Sequence, residues 1–328
     1  MSYSLPVKSP FNSNVGTCFS VMFSDWYVEL LKTPNAPKRF EYTQDRLSVV
    51  VDKFKMVRIY SLLVAGWEQT FNVTPEAQAL LNLIPYNKNI EAIIGTTNNK
   101  EFFKVQENVN KWIDILWNKL QLHTPCVKAI VIGNEINANS YTPDDISQIM
   151  TCFKVAQKRY NLNIPVTTSF SNLPNQSGDD YSDSLVKSLV DNWDGNWNKW
   201  YPFVFINPYP DAAGINNAKG VYEWQGRVTK YYQVKYPRLQ VFIGETGAEG
   251  SVTDAAGVVI MNDVFNELDT QFTVNSGKTV PTFMFESLNE GEKSLNPNQQ
   301  HMGVYKDAAA DKGEDITIKT GINVPAWI

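Results

Sequence analysis

The chain is poor in the residues that several common kinds of site require. Only two histidines, His123 and His301, occur in 328 residues, leaving little material for a His-rich metal centre or a Ser-His-Asp triad. Three cysteines, Cys18, Cys126 and Cys152, are too few for a disulfide framework in a chain this long. They match no metal-ligand spacing, so buried apolar thiols are expected. No apolar run approaches the roughly 20 residues of a membrane-spanning helix, and no membrane insertion is expected. The N-terminal stretch Met1-Ser-Tyr-Ser-Leu-Pro-Val-Lys8 lacks a basic segment followed by an apolar one, so no secretion signal is expected in it. There is no Lys/Arg-rich block, and the formal net charge is −5. Nucleic acid is therefore not the expected partner, because phosphate binding needs a basic face. A glycine-rich phosphate turn after an early strand is also missing, which counts against a doubly wound nucleotide-binding sheet.

What is present is an ordinary core-forming composition, 43% hydrophobic and 19% charged, with no low-complexity linker to divide it. Short apolar runs alternate with longer segments of helical period, the pattern of repeated βα units. Strands are predicted over 17–23, 56–60, 90–95, 127–132, 164–169, 203–206, 239–243 and 280–285. Between them, Val105, Val109, Trp112, Ile113, Leu116 and Leu120 share one helical face. So do Ile146, Ile149, Met150 and Phe153, and later Val258, Met261, Phe265, Leu268 and Phe272. Thr74-Pro75-Glu76 and Thr142-Pro143-Asp144 read as helix starts, with a capping hydroxyl, a proline at the first helical position and an acid in the first turn. The expectation is an α/β protein, a single (β/α)8 TIM barrel over 1–328, with an open doubly wound sheet as the alternative.

Two apolar runs end in a carboxylate: Val127-Lys-Ala-Ile-Val-Ile-Gly133-Asn134-Glu135 and Leu239-Gln-Val-Phe-Ile-Gly244-Glu245-Thr246-Gly247. Each Glu is thereby expected at the carboxyl end of a barrel strand, the fourth and the seventh, where barrel enzymes keep their chemistry. A pair of carboxyls, one kept protonated to donate and one ionised to attack, is equipment for cleaving a glycosidic bond. A separation of about 5 Å implies retention of configuration and roughly 6.5–9.5 Å inversion.

Gly133-Asn134-Glu135, Asn207-Pro-Tyr209-Pro, Gly244-Glu245-Thr246-Gly247 and Phe285-Glu286-Ser-Leu-Asn-Glu290-Gly-Glu-Lys293, closing with His301-Met-Gly303, resemble in content and order the family-17 glycoside hydrolases, the β-1,3-glucanases and glucanosyltransferases. Val57-Arg58-Ile59-Tyr60 is similar to that family's second strand. The resemblance implies a retaining mechanism without a cofactor, with Glu135 as acid/base and Glu245 as nucleophile. It places Asn134 on the sugar 2-hydroxyl, lets Tyr209 orient the nucleophile, and lines the cleft with Glu286 and Lys293. Arg58 and Tyr60 fall in the same substrate-binding set, although Arg58 could equally be a buried ion-pair partner. The implied partner is a β-glucan oligo- or polysaccharide. The resemblance favours an extracellular, cell-wall or periplasmic setting, and a monomer is the simplest expectation for the oligomeric state.

Three positions depart from the family pattern. Ala248-Glu249 stands where Trp-Pro usually follows, Gln299 where a Glu is common, and Met302 where an aromatic residue is common; the first and last suggest lost sugar-stacking surface. Glu249, Glu290 and Glu292 read as solvated loop carboxylates. The stretch Trp193-Asp-Gly-Asn-Trp197-Asn-Lys-Trp200-Tyr201 could stack on sugar faces or pack internally. Trp67 and Phe71, after the second strand, are the better subsite candidates. Beside a β-1,3-glucanase, a transferase, a relative acting on β-1,6 or mixed linkages, and a non-catalytic glucan-binding barrel stay open.

Overall fold

Eight parallel strands close on themselves in sequential order, β1 pairing with both β2 and β8. They are β1 (Val15–Cys18), β2 (Met56–Ile59), β3 (Glu91–Gly95), β4 (Val127–Ile132), β5 (Val166–Phe170), β6 (Phe203–Ile206), β7 (Gln240–Thr246) and β8 (Thr282–Met284). The computed structural model describes residues 8–21, 36–174, 176, 179–193, 199–210, 217–248, 253–288, 302–306 and 316–328. Among these the helices are α1 (Ala36–Lys53), α2 (Pro75–Leu83), the short α3 (Lys100–Phe103), α4 (Gln106–Leu120), α5 (Pro143–Lys158), α6 (Asp180–Asp191), α7 (Ala218–Lys235) and α8 (Asp254–Val274). The fold is the expected (β/α)8 barrel. No helix among the described residues is long and apolar enough to cross a membrane.

Strand residues alternate between two cores, as the period of two requires. Inside the barrel lie Met56, Ile93, Ala129, Val131, Phe203, Phe205, Phe242 and Phe283. Phe11 plugs the amino-terminal end, its ring 5.7 Å from those of Phe203 and Phe242. The larger core fills the layer between strands and helices and takes Val57, Ile94, Ile130, Val204 and Ile243 from the sheet.

The helix starts are as expected. Thr74 accepts the Ala77 amide at α2, and Thr142 forms a reciprocal capping box with Asp145 at α5. Asp145 also binds Lys100 and Lys104, at 3.0 and 2.8 Å. Burial works against its charge, but these partners hold its carboxyl well below the usual range. Val105 departs from the expected apolar face of α4: it caps the helix and is exposed. The predicted first strand also shifts. Ladder pairing stops at Cys18, and the apolar run continues because Phe19 and Val21 are buried beyond the sheet, with the Val21 amide on Glu76. Phe23 lies outside the described residues. A two-stranded antiparallel ladder, β9 (Tyr305–Lys306) with β10 (Thr317–Ile318), follows the barrel.

Candidate active site

Glu245 owes its direction to an irregularity in β7. Ile243 pairs with Thr282 and Thr246 with Met284, so three steps along β7 match two along β8. An extra residue of this kind resets the in-out alternation and re-aims a side chain. Ile243 faces the helices. Gly244 faces inward, where a Cβ would lie 2.7 Å from Arg58 Nη1 and 2.8 Å from Asn207 Oδ1. Glu245 also faces inward: its Oε2 accepts from the Tyr209 hydroxyl at 2.8 Å and its Oε1 lies 3.4 Å from Arg58 Nη1.

Arg58, on β2 and 2% exposed, ties the two ends of the site together. Nη1 donates to the Gly244 carbonyl at 2.7 Å, and Nη2 donates to Asn134 Oδ1 at 2.8 Å and to Ser169 Oγ at 3.3 Å. Its guanidinium lies 5.2 Å from the centre of the Tyr60 ring. Burial works against the Arg58 charge, but Glu245 beside it leaves the guanidinium pKa raised overall. The Cys18 thiol also donates to the Gly244 carbonyl, at 3.5 Å, and burial pushes its pKa up.

Opposite, the turn after β4 presents Asn134 and Glu135. Gly133 and Glu135 have φ of 58° and 53°, the left-handed region that glycine tolerates and glutamate rarely adopts. At Gly133 a Cβ would lie 2.7 Å from Asn98 Oδ1 and 2.8 Å from the Tyr141 hydroxyl. Three successive amides of this turn are each met by a side chain from a flanking strand end: Gly133 by Thr96 Oγ1 at 2.8 Å, Asn134 by Asn98 Oδ1 at 2.7 Å, and Glu135 by Ser169 Oγ at 3.2 Å. Asn134 Oδ1 gathers donors from Arg58, Ser169 and Asn207, so its amide nitrogen is the end left to face a ligand. Glu135 Oε1 accepts from Asn207 Nδ2 at 3.1 Å.

Burial is the main cause that raises the Glu245 carboxyl above its ordinary value. Arg58 and the hydrogen bond from Tyr209 pull it back, the charge of Glu135 pushes it further up, and Tyr60 exerts a weaker lowering influence. The Tyr60 hydroxyl is buried and lies outside hydrogen-bond geometry.

The structure thus brings Arg58, Tyr60, Asn134, Glu135, Tyr209 and Glu245 together. Trp67 stands in the loop after β2 with 62% of its surface exposed. The neighbouring Glu68 carboxylate is buried and accepts from the Gly66 amide and Asn99 Nδ2. Phe71 is instead a packing residue, its ring 5.6 Å from Phe102 and covered by Lys111. Glu286 is fully buried rather than open along a cleft, with Cys18 and Lys319 in its electrostatic reach. Lys293, Glu249, Glu290, Glu292, Trp197 and Gln299 lie outside the described residues.

The two positions where the sequence suggested lost stacking surface are both buried. Ala248 is buried among the residues under the helices and Met302 inside the barrel. Trp193 packs on Phe203 at 5.4 Å, near the Phe11 plug and away from Glu245, because its indole nitrogen is bound by the Trp200 carbonyl. Thr96, Asn98, Ser169 and Asn207 are the site residues to which the sequence alone assigned no role. For Thr96, Asn98 and Asn207 the signal is a polar side chain just past the end of an apolar strand; Ser169 follows two threonines in β5 and has no such signal. Among the described residues no group of three or more His, Cys, Asp or Glu side chains is placed to hold a metal ion.

No family model and no curated protein matches the chain. Solved structures do. It is similar to the β-1,3-glucanase and allergen of Cryptomeria japonica pollen, with 17% identity and a TM-score of 0.61 over 95% of this chain and 100% of that one. The family-17 β-1,3-glucanosyltransferase from Rhizomucor miehei gives 16% identity and a TM-score of 0.61, covering 95% and 98%. An endo-β-1,6-glucanase gives 11% identity and a TM-score of 0.55, covering 97% and 75%. At these identities the likeness establishes a barrel fold shared with glycoside hydrolases, and the same fold carries hydrolysis, transfer and more than one linkage.

Proposed function

We propose that the chain is a retaining glycosidase acting on β-1,3-linked glucan, with Glu245 as nucleophile and Glu135 as acid/base. The observation that carries this reading is the Arg58–Glu245–Tyr209 cluster on one side of the barrel end and, joined to it through Asn134 and Asn207, the Glu135 carboxyl on the other. In the first step Glu135 gives its proton to the glycosidic oxygen as the C1–O bond breaks, and Glu245 bonds to C1. Tyr209 occupies Glu245 Oε2, so Oε1, which receives only the longer ion pair, is the attacking atom. The free Asn134 amide nitrogen donates to the sugar 2-hydroxyl. In the second step Glu135, now a carboxylate, takes a proton from water as its oxygen attacks C1, releasing Glu245.

Glu135 is only half-buried, so water can reach it, as the hydrolytic second step requires. Arg58 acts indirectly, through the Glu245 carboxylate it pairs with, while Trp67 offers an open stacking face. Proton NMR of a β-1,3-glucan oligosaccharide digest tests the reading. The β-anomer should appear first and equilibrate later. An α-anomer as first product, or no cleavage, would overturn it.

A further inference from the structure

One buried hydroxyl uses its whole hydrogen-bonding capacity on the two halves of the site. Ser169, at the end of β5 and fully buried, donates to Asn134 Oδ1 at 2.7 Å. It accepts from the Glu135 amide at 3.2 Å and from Arg58 Nη2 at 3.3 Å. A serine hydroxyl has one proton and two lone pairs, and each has a partner here. These partners are the backbone of one carboxylate-bearing residue, the side chain of its neighbour, and the cation that pairs with the other carboxylate.

We propose that Ser169 is a positioning residue that holds Glu135 in its left-handed backbone conformation and, through Asn134 Oδ1, keeps the two neighbouring residues in register. The inference rests on the functional reading above. The Glu135 conformation, φ 53°, is unfavourable for a residue with a Cβ and persists only where surrounding contacts over-determine it. Thr96 and Asn98 pin the two preceding amides, and Ser169 pins the amide of Glu135 itself. Ser169 also supplies the shortest of the three donors that saturate Asn134 Oδ1. Without it that oxygen keeps only Arg58 and Asn207, and the Asn134 side chain loses its shortest tether.

The experiment is Ser169→Ala beside Ser169→Thr, each checked for folding by circular dichroism. Ser169→Ala should lower kcat on a β-1,3-oligosaccharide by about tenfold to a hundredfold, as expected when a reacting group is misplaced by about 1 Å. The loss should be smaller on an aryl β-glucoside, whose leaving group scarcely needs a proton. Ser169→Thr, which keeps the hydroxyl, should recover most of the rate. If the alanine variant does not fold, Ser169→Cys, of similar size but a weak donor, takes its place with the same expectation. Wild-type kcat in folded Ser169→Ala, or an equal loss on both substrates, would overturn the proposal. Should the unaltered protein cleave no glucan, the functional reading fails, and the crystal structure of Ser169→Ala decides the positioning role. An unmoved Glu135 and Asn134 would refute it.

Discussion

Removing the Tyr209 hydroxyl tests the electrostatics of the site at a single atom. Tyr209 donates to Glu245 Oε2 at 2.8 Å, and this bond opposes the burial that raises the Glu245 pKa. A hydrogen bond to a charged acceptor contributes about 1.5–3 kcal/mol. At about 1.4 kcal/mol for each pKa unit, Tyr209→Phe should lift the Glu245 pKa by about one to two units. Arg58, 3.4 Å from the other oxygen, stays in place and keeps the shift from growing larger. Only ionised Glu245 attacks, so activity is lost as pH falls through this pKa. The acid limb of kcat/KM, which reports the free enzyme, should therefore move to higher pH by about the same one to two units. The assay is kcat/KM against pH on an aryl β-glucoside. An acid limb unmoved in Tyr209→Phe would refute the claim that this bond holds the Glu245 anion.

Other outcomes follow from the same geometry. Gly244→Ala places a Cβ 2.7 Å from Arg58 Nη1 and 2.8 Å from Phe205 Cβ; it should cost about 1–3 kcal/mol in denaturant unfolding and lower kcat at least tenfold, and a stable, active variant would contradict the packing. Glu245→Gln should abolish turnover yet raise the melting temperature at pH 7. The raised carboxyl pKa means that the fold loses stability as pH rises from the ordinary 4.5 through the folded-state value. The advantage of the amide should vanish below pH 4.5, and calorimetry showing no gain at pH 7 would count against a raised pKa. Trp67→Ala removes an exposed ring, so it should leave the melting temperature unchanged while raising KM for oligosaccharide about two- to tenfold, from a stacking contribution of about 0.5–1.5 kcal/mol. An unaltered KM would remove Trp67 from the substrate path.

The barrel was legible because most strands are short, largely apolar runs buried on both faces, β5 with its Val-Thr-Thr-Ser-Phe being the weakest, and the glutamates because they end two of those runs. Alternation failed at Gly244 and Glu245. A period of two puts them on opposite faces, and only the mismatch with β8 brings both inward. The bracing of Glu135 was hidden for a different reason. Thr96, Asn98 and Ser169 reach the turn after β4 through the register of neighbouring strands, 34 to 37 residues away in the chain, a distance at which local pattern carries no information. Phe71 misled, and Trp193 stayed open between packing and binding, because an aromatic ring packs in a core as readily as it stacks on a sugar. Their neighbours, not their identity, decide between the two.

The central claim, that Glu245 forms the bond to C1, is tested most directly by trapping that bond. A β-glucosyl or β-1,3-linked glucobiosyl fluoride carrying fluorine at C2 slows both steps but leaves through fluoride, so the glycosyl-enzyme accumulates. After proteolysis and mass spectrometry, the account predicts a single label on Glu245 and none on the Glu245→Gln variant. A label on Glu135 or elsewhere, or no label on protein that cleaves the parent glucan, would contradict it.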